Sequence, residues 1–342
     1  MFAKRLLAGA AFFATFATAG LALADDKTPC EGGAGTCIKI GTLAPKQSLW
    51  GSVFGAWAKA VFEESGKTLE LQIFYNGNQG DEPGMIAKMR NNQLDGAAVT
   101  ARGLATVWPH ILAFQLPGMF TDWGKLDAAR NKLMPEVVNP AFEKAGFRIV
   151  GMGDVGVAHI MSKREPVRLP GDLKSHKPYY ITGDQTGLTL LRVAGVSGQP
   201  LEVPQILPSL KNNTIDIVSA PALASEQLQW TPEMEHINTM PVGIGIGGLV
   251  FKVGPDSKFN GLSEAHRELL KRTGKNAGDV LTGRVRGADS AAFERAKGKL
   301  TVFNPDAAQT AAWQTFFGQV YSQVCGSAID AGFCQKVKDA AK

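Results

Sequence analysis

The feature that most restricts the fold of this chain is an alternation of strand-like and helix-like segments between residues 38 and 100. Ile38–Leu43 and Leu69–Tyr75 alternate apolar and polar residues, as half-buried strands do. Between them, Trp50–Glu64 repeats its apolar residues at helical spacing. A helix over Met85–Asn91 and a strand over Leu94–Thr100 follow. This order predicts a parallel sheet and an α/β fold.

Ligands of such sheets bind beyond the carboxyl ends of the strands. Here those ends lead into the loops at 44–50, 76–82 and 100–103, which carry four candidate binding residues: Trp50, Gln79, Glu82 and Arg102. A core position for Trp50 and a surface position for Arg102 are the alternatives, because tryptophan packs well in cores and arginine is mostly exposed. We expect these loops to form one wall of a cleft.

The remainder of the chain predicts a second lobe, since 342 residues exceed one typical domain. Strands are expected at 147–152, 155–162, 214–219, 237–240 and 248–253, and helices at 126–133, 186–194, 222–230 and 307–324. A long helical tract over 262–300 contains Gly274, Gly278, Gly283 and Gly287, which we expect to bend or interrupt it.

The segment Tyr179–Thr182 follows Pro178 and consists of strong strand formers, and Gly183-Asp184 ends it with turn residues. Alternation along a strand places Tyr179 and Tyr180 on opposite faces. We expect Tyr179 to face the cleft, where a tyrosine offers apolar area and one polar tip. Thr182, and Ser219 at the end of a later strand, are candidate hydrogen-bonding residues.

Several other classes of function are disfavoured. Gly243, Gly245 and Gly248 match G-x-G-x-x-G, but a strand-like segment follows them instead of the helix that a dinucleotide site requires, so a hinge or a close-packed crossing is favoured. Neither G-x-S-x-G nor H-E-x-x-H nor a Walker loop is present. The five histidines are far apart. We therefore expect no catalysis, no metal and no cofactor.

The ends of the chain indicate export. Lys4 and Arg5 precede an apolar run, and Ala22-Leu23-Ala24 is an A-x-A site, so residues 1–24 are predicted to be a cleaved signal peptide. An uncleaved membrane anchor is the alternative. No later apolar run is long enough to cross a bilayer. The net charge of +5 includes these two basic residues, and it is too small and too scattered to indicate nucleic acid.

The four cysteines form one close pair near each end of the mature chain. Local disulfides are the simplest pairing in an oxidising compartment, Cys30–Cys37 and Cys325–Cys334. A zinc site is the rival interpretation, but the spacings are wider than C-x-x-C and no histidine lies near either pair.

An ordered set of short motifs then carries a resemblance to a family. These are Ile40-Gly-Thr-Leu, Asn78-Gln-Gly-Asp-Glu, Leu94-Asp-Gly-Ala, Leu116-Pro-Gly-Met-Phe, Lys144-Ala-Gly-Phe-Arg, Pro170-Gly-Asp-Leu-Lys and Ile215-Asp, followed by the long late helix. Over roughly residues 38–300 the chain resembles the DctP-type periplasmic solute receptors of TRAP transporters.

The resemblance implies a two-lobed periplasmic binding protein fold with a hinge, a central cleft and a long helix touching both lobes. The expected division is 38–152 with about 241–275 for lobe I, and 153–240 with about 276–342 for lobe II. It also implies capture of a small ligand, usually a carboxylate, and its delivery to a membrane carrier of two subunits, one small and one large.

Two positions depart from the family pattern. Where the family usually places a ligand-clamping arginine, this sequence has Tyr179, and where it commonly has asparagine before proline, this sequence has Ala220 before Pro221. Loss of a bidentate cation weakens carboxylate binding, so we expect a ligand more apolar than a C4 dicarboxylate. Replacement of the missing cation by Arg102 is one alternative. A carrier-independent shuttle for lipids or other hydrophobic molecules is another.

Overall fold

The computed structural model describes residues 27–341, so the predicted signal peptide lies outside the described residues. The part of the chain up to residue 144 contains most of the elements expected for lobe I. Its strands are β1 (Thr36–Thr42), β2 (Leu69–Phe74) and β3 (Gly96–Thr100), and its helices are α1 (Leu49–Glu64), α2 (Glu82–Arg90), α3 (Ala101–Ala105), α4 (Trp123–Leu133) and α5 (Asn139–Lys144). Short 3-10 turns at Pro29–Glu31 and Pro109–Gln115 and a π-helical turn at Met134–Val138 join them.

The second half adds further strands and helices. The strands are β4 (Phe147–Ser162), β5 (Tyr179–Ile181), β6 (Gln199–Leu201), β7 (Ile217–Pro221), β8 (His236–Lys252) and β9 (Thr301–Phe303). The helices are α6 (Gln185–Ala194), α7 (Val203–Lys211), α8 (Ala222–Gln227), α9 (Lys258–Gly261), α10 (Glu264–Lys297), α11 (Ala307–Val324) and α12 (Ala331–Ala340), with 3-10 turns at Pro170–Ser175 and Thr231–Glu233.

The mixed α/β fold with two lobes is the one that the sequence predicts. Within residues 27–341, seven strands form one sheet in the order β2-β1-β3-β8-β4-β7, with β9 beside β8. The predicted parallel pairing holds for β1 with β2 and β3. The pairs β3–β8, β4–β8 and β4–β7 are antiparallel. A separate parallel pair joins β5 and β6. The sequence predicted β5 but not β6, because β6 has only three residues and contains Pro200.

The two segments expected at 147–152 and 155–162 are one strand of 16 residues, and those expected at 237–240 and 248–253 are one strand of 17. Register shifts near Gly151, Gly156 and Ile160 show where these long strands bend between the lobes. Gly243, Gly245 and Gly248 lie inside β8, and the chain continues as strand to Lys252. A close-packed crossing accounts for Gly248, where a Cβ would lie 3.0 Å from Met152 Sδ.

Helix α10 runs for 34 residues without a break, so its glycines do not interrupt it, which was one of the two expected effects. A Cβ at Gly278 would lie 2.3 Å from the Met152 carbonyl oxygen, and one at Gly274 would lie 2.6 Å from Val150 Cγ2. These glycines therefore permit a close approach to β4. The helix also packs against α1 and α8, so it touches both lobes as predicted.

The termini are fixed by packing and by disulfides. Both predicted bridges are present, Cys30–Cys37 with a Cα–Cα distance of 4.8 Å and Cys325–Cys334 with 6.1 Å. Helix α11 packs against α6, whereas α12 packs against α4 and the turn at 109–115, within the residues expected for lobe I. No helix in the described part of the chain has the length and apolarity needed to cross a bilayer.

Candidate functional site

The cleft between the lobes contains a cavity of about 170 Å³, which we call the front cavity. It lies between the start of α1, the end of β3, the central part of β4 and β8, and the end of β7 with α8. Six of the eight predicted binding residues line it: Trp50, Glu82, Arg102, Tyr179, Ser219 and Ala220. The cleft therefore gathers residues from both predicted lobes, although they are far apart in sequence.

Arg102 is the cation that lies in the cleft. It is the second residue of α3, and the Thr100 hydroxyl caps this helix by accepting a hydrogen bond from the Arg102 backbone N–H at 3.3 Å. Its guanidinium lies 3.7 Å from Asp184 Oδ2, on the opposite side of the cleft. That separation is too long for a hydrogen bond. Among residues 27–341 the guanidinium makes this ion pair but no hydrogen bond, so its donors remain available to a ligand.

Glu82 holds the turn that presents Arg102. It was expected in a polar loop, but it begins α2 and is buried, with Asp81 as the N-cap. Its carboxylate accepts hydrogen bonds from the Thr100 N–H at 2.6 Å, the Thr100 hydroxyl at 2.7 Å and the Gly103 N–H at 3.0 Å. A Cβ at Gly103 would lie 2.9 Å from Glu82 Cβ, so the glycine makes this approach possible. Glu82 thus positions the β3–α3 turn.

Tyr179 lies opposite Arg102 on β5, where it pairs with Gln199. Burial raises the pKa of its hydroxyl to about 12, and nearby Arg102 opposes this shift while Asp184 adds to it. The phenol is therefore neutral at ordinary pH and offers a donor and an aromatic face. Tyr180 does not line the front cavity.

Of the remaining predicted residues, Trp50, Ser219 and Ala220 line the front cavity, whereas Gln79 and Thr182 do not. Trp50 donates its indole N–H to the Asp154 carbonyl at 3.4 Å, and Ser219 is exposed to the cleft on β7, next to buried Ala220. Gln79 lies outside the cavity and accepts a hydrogen bond from Lys88 at 3.0 Å. Thr182 is exposed and lines a neighbouring cavity with Arg102 and Glu82, not the front cavity.

Sequence reasoning did not select two acidic residues. Asp184 accepts the Thr186 and Gly187 N–H groups and so caps α6, besides facing Arg102. Asp154 lies on β4 and lines the front cavity, and its carboxylate is wholly buried between Arg130 and Arg286. Its position directly after the Gly183 turn was a sequence signal for Asp184. No local sequence pattern marks Asp154.

The buried Asp154 belongs to a network that joins three elements. Arg130 of α4 and Arg286 of α10 donate to its two oxygens at 2.8 and 2.7 Å, and both also contact Asp127. The Arg286 side chain lies over the Trp123 ring at 4.6 Å. Hydrogen bonding from Arg286 lowers the pKa of Asp127, so the Asp127 carboxylate stays ionised near neutral pH. The network holds the centre of β4 against the two helices.

The sequence of the chain matches a known protein family. The model for the DctP family, described as bacterial extracellular solute-binding protein, family 7, matches residues 40–327. The chain belongs to the DctP family. No cluster of three or more potential metal ligands occurs in the part of this DctP-family chain that the structure describes.

Individual relatives are distant in sequence. The 2,3-diketo-L-gulonate-binding periplasmic protein YiaO of Escherichia coli is 20% identical over 216 residues, which cover 62% of this chain and 63% of that relative. A TRAP periplasmic solute-binding protein from Sulfurospirillum deleyianum, solved with succinate, superposes with a TM-score of 0.82 at 18% identity, over 91% of this chain and 100% of that one.

A sugar-acid-binding protein from Advenella mimigardefordensis, solved with galactonate, gives a TM-score of 0.82 at 14% identity, over 90% of this chain and 98% of that one. At these identities the structural similarity establishes the fold. The choice of ligand depends on the residues that line the cleft of this chain.

Proposed function

We propose that this DctP-family protein is a periplasmic receptor for a small organic acid, which it releases to a TRAP-type carrier of two membrane subunits. Family membership and the small acids named for its relatives support the general function. Arg102 carries the choice of ligand, because its guanidinium has unmatched donors in a cleft between two lobes. A carboxylate is the group that such a planar cation binds best.

We further propose that the acid has one carboxylate and an apolar body. The front cavity is walled by apolar side chains around Arg102, including Phe54, Val203, Leu228, Trp230 and Leu281. Tyr179 stands where the family resemblance implies the ligand-clamping arginine, so Arg102 has no second cation beside it there. A second carboxylate would lose its hydration there without gaining an ionic partner, which is unfavourable. The cleft therefore favours a monocarboxylate over a C4 dicarboxylate.

Binding measurements test both statements. The mature chain, freed of co-purifying ligand by unfolding and refolding, is titrated by calorimetry with succinate, galactonate, 3-methylbutanoate and phenylacetate. We expect the last two to bind most tightly. Replacement Arg102→Met removes charge-assisted hydrogen bonds worth about 1.5–3 kcal/mol, so affinity should fall by roughly 10- to 150-fold.

Arg284→Met is the matched control, because Arg284 is exposed on α10 and lies away from the cavity. Its affinity should equal that of the unmodified chain. Tyr179→Arg should raise affinity for succinate, because it restores the family's clamping arginine and so places a second cation near Arg102. Tight succinate binding by the unmodified chain would overturn the apolar-acid proposal, and unchanged binding by the Arg102→Met variant would overturn the role of the guanidinium. Binding of neutral lipids alone would support the shuttle instead.

A further inference from the structure

A second cavity of about 200 Å³, which we call the rear compartment, lies behind Tyr179. Strands β4 and β8 line one side of it, with Ala158 and Gly243. Helices α6 and α11 line the other, with Leu190 and Phe317. It therefore lies mainly within the second lobe and under the C-terminal α11, and the resemblance to the family gave no reason to expect it.

The rear compartment adjoins the front cavity. The same residues line both at their junction: Thr100, Arg102, Val155, Tyr179, Ile181, Ser219 and Pro221. Asp184, which faces Arg102, lines only the rear side. Charged and hydroxyl groups are thus concentrated at the junction. A molecule whose carboxylate meets Arg102 can extend from this point into either cavity.

The interior beyond the junction is mostly apolar. Residues that line the rear compartment but not the front cavity include Leu173, Leu190, Ile217, Val242, Ile244 and Phe317. The indole N–H of Trp313 is turned to a backbone partner, the Arg168 carbonyl at 2.9 Å. Such a surface gains most from contact with hydrocarbon, because apolar area leaves water without the loss of hydrogen bonds.

Small residues keep this space open. A Cβ at Gly243 would meet nothing nearer than the Gln115 carbonyl oxygen at 3.5 Å, an ordinary contact distance. Gly243 has a negative φ, so its backbone does not require glycine. Ala158, its partner on β4, is also small and half-buried. Larger apolar residues would fill the cavity and strengthen the core. Their absence at both positions is understandable if a ligand fills the space.

We infer that the rear compartment binds the hydrocarbon tail of the ligand whose carboxylate Arg102 holds. The ligand class is therefore an amphipathic monocarboxylate with an extended aliphatic or aromatic tail. This inference rests on the proposed function, since it uses the same cation. It differs in predicting that affinity depends on tail length and on residues outside the front cavity.

The test is a homologous series. Refolded protein is titrated with straight-chain carboxylates of four to twelve carbons, and with primary alcohols of the same lengths. Each methylene that enters the compartment should raise carboxylate affinity by about fourfold until the space is full. Alcohols should show the same dependence on length at lower affinity.

Two substitutions fill the compartment from opposite sides. Ala158→Leu and Leu190→Trp should each weaken the longest acid by at least tenfold and leave the four-carbon acid unchanged. Leu188→Trp is the matched control, because Leu188 lies on the same helix but lines neither cavity. Thermal unfolding verifies that each variant is folded. If one of the two filling variants does not fold, the other still provides the test.

The outcomes separate the two proposals. If short acids bind through Arg102 but affinity does not change with length, the rear compartment is not a tail site and the proposed function stands. If alcohols bind with length dependence but no acid binds better, the compartment is real and the carboxylate role of Arg102 is wrong. If neither series binds, both proposals fail.

Discussion

The buried carboxylate of Asp154 offers the sharpest test of how β4 is held against α4 and α10. Its side chain has no exposed surface, and each oxygen accepts from a different guanidinium, Oδ1 from Arg130 at 2.8 Å and Oδ2 from Arg286 at 2.7 Å. The isosteric change Asp154→Asn removes the charge and turns one oxygen into an amide donor. That donor must then face a guanidinium N–H group.

The expected loss can be worked from these contacts. Breaking a buried ion pair costs about 3–5 kcal/mol, because the remaining charge is left uncompensated. Two features reduce the loss here. Asp127 still pairs with both arginines, and the Arg286 side chain is 24% exposed and can recover water. We therefore expect Asp154→Asn to lower the free energy of unfolding by about 3 kcal/mol.

Urea unfolding at neutral pH measures this loss as a shift in midpoint at constant m-value. Asp127→Asn is the matched control, since it changes the same network at a side chain that is 32% exposed, and it should cost no more than about 1 kcal/mol. Added salt should reduce the Asp127 effect and leave the Asp154 effect largely intact. A loss below about 1 kcal/mol for Asp154→Asn, or one equal to that of the control, would refute the reasoning.

Three further predictions concern stability. Burial lowers the pKa of His159 from 6.5 to about 4. As the pH falls, the imidazole is therefore protonated in the unfolded chain before it is protonated in the folded one. About 3 kcal/mol of stability should be lost between about pH 6.5 and pH 4. His159→Phe should flatten that slope in urea midpoints measured against pH. Gly278→Ala should destabilise by about 1–3 kcal/mol, because its Cβ would overlap β4, whereas Gly283→Ala, which meets open space on the same helix, should stabilise by about 0.5–1 kcal/mol. Glu82→Ala should cost about 2–3 kcal/mol by leaving three donors without an acceptor, and Glu82→Gln should cost less.

Each has an outcome that would contradict it. An unchanged slope in His159→Phe would assign the acid sensitivity to other groups. Equal effects at Gly278 and Gly283 would mean that helix propensity, and not contact with β4, decides them. A Glu82→Ala variant as stable as the unmodified chain would show that water satisfies the β3–α3 turn.

Local pattern was enough to predict much of the fold. Apolar periodicity predicted β1, α1 and β2 nearly residue by residue, because burying one face of a strand or helix imposes period 2 or 3.6 directly on the sequence. Close cysteine spacing predicted both disulfides, because the partners of each bridge are near neighbours in the chain. The order of these elements predicted an α/β fold, and the length of the chain predicted a second lobe.

Other features depend on contacts between distant residues, and no local pattern encodes them. Glycine has a low propensity for both helix and strand, so the sequence alone marks Gly278 and Gly248 as unfavourable positions. In the structure α10 and β8 continue through them, and close packing against Met152 accounts for a glycine at each position. Likewise, Arg102 and Tyr179 were named from the sequence as separate candidates. The tertiary structure places them together with Asp184 at the junction of two cavities, because Arg102 follows β3 and Tyr179 lies on β5, and residues so far apart in the chain meet only after folding.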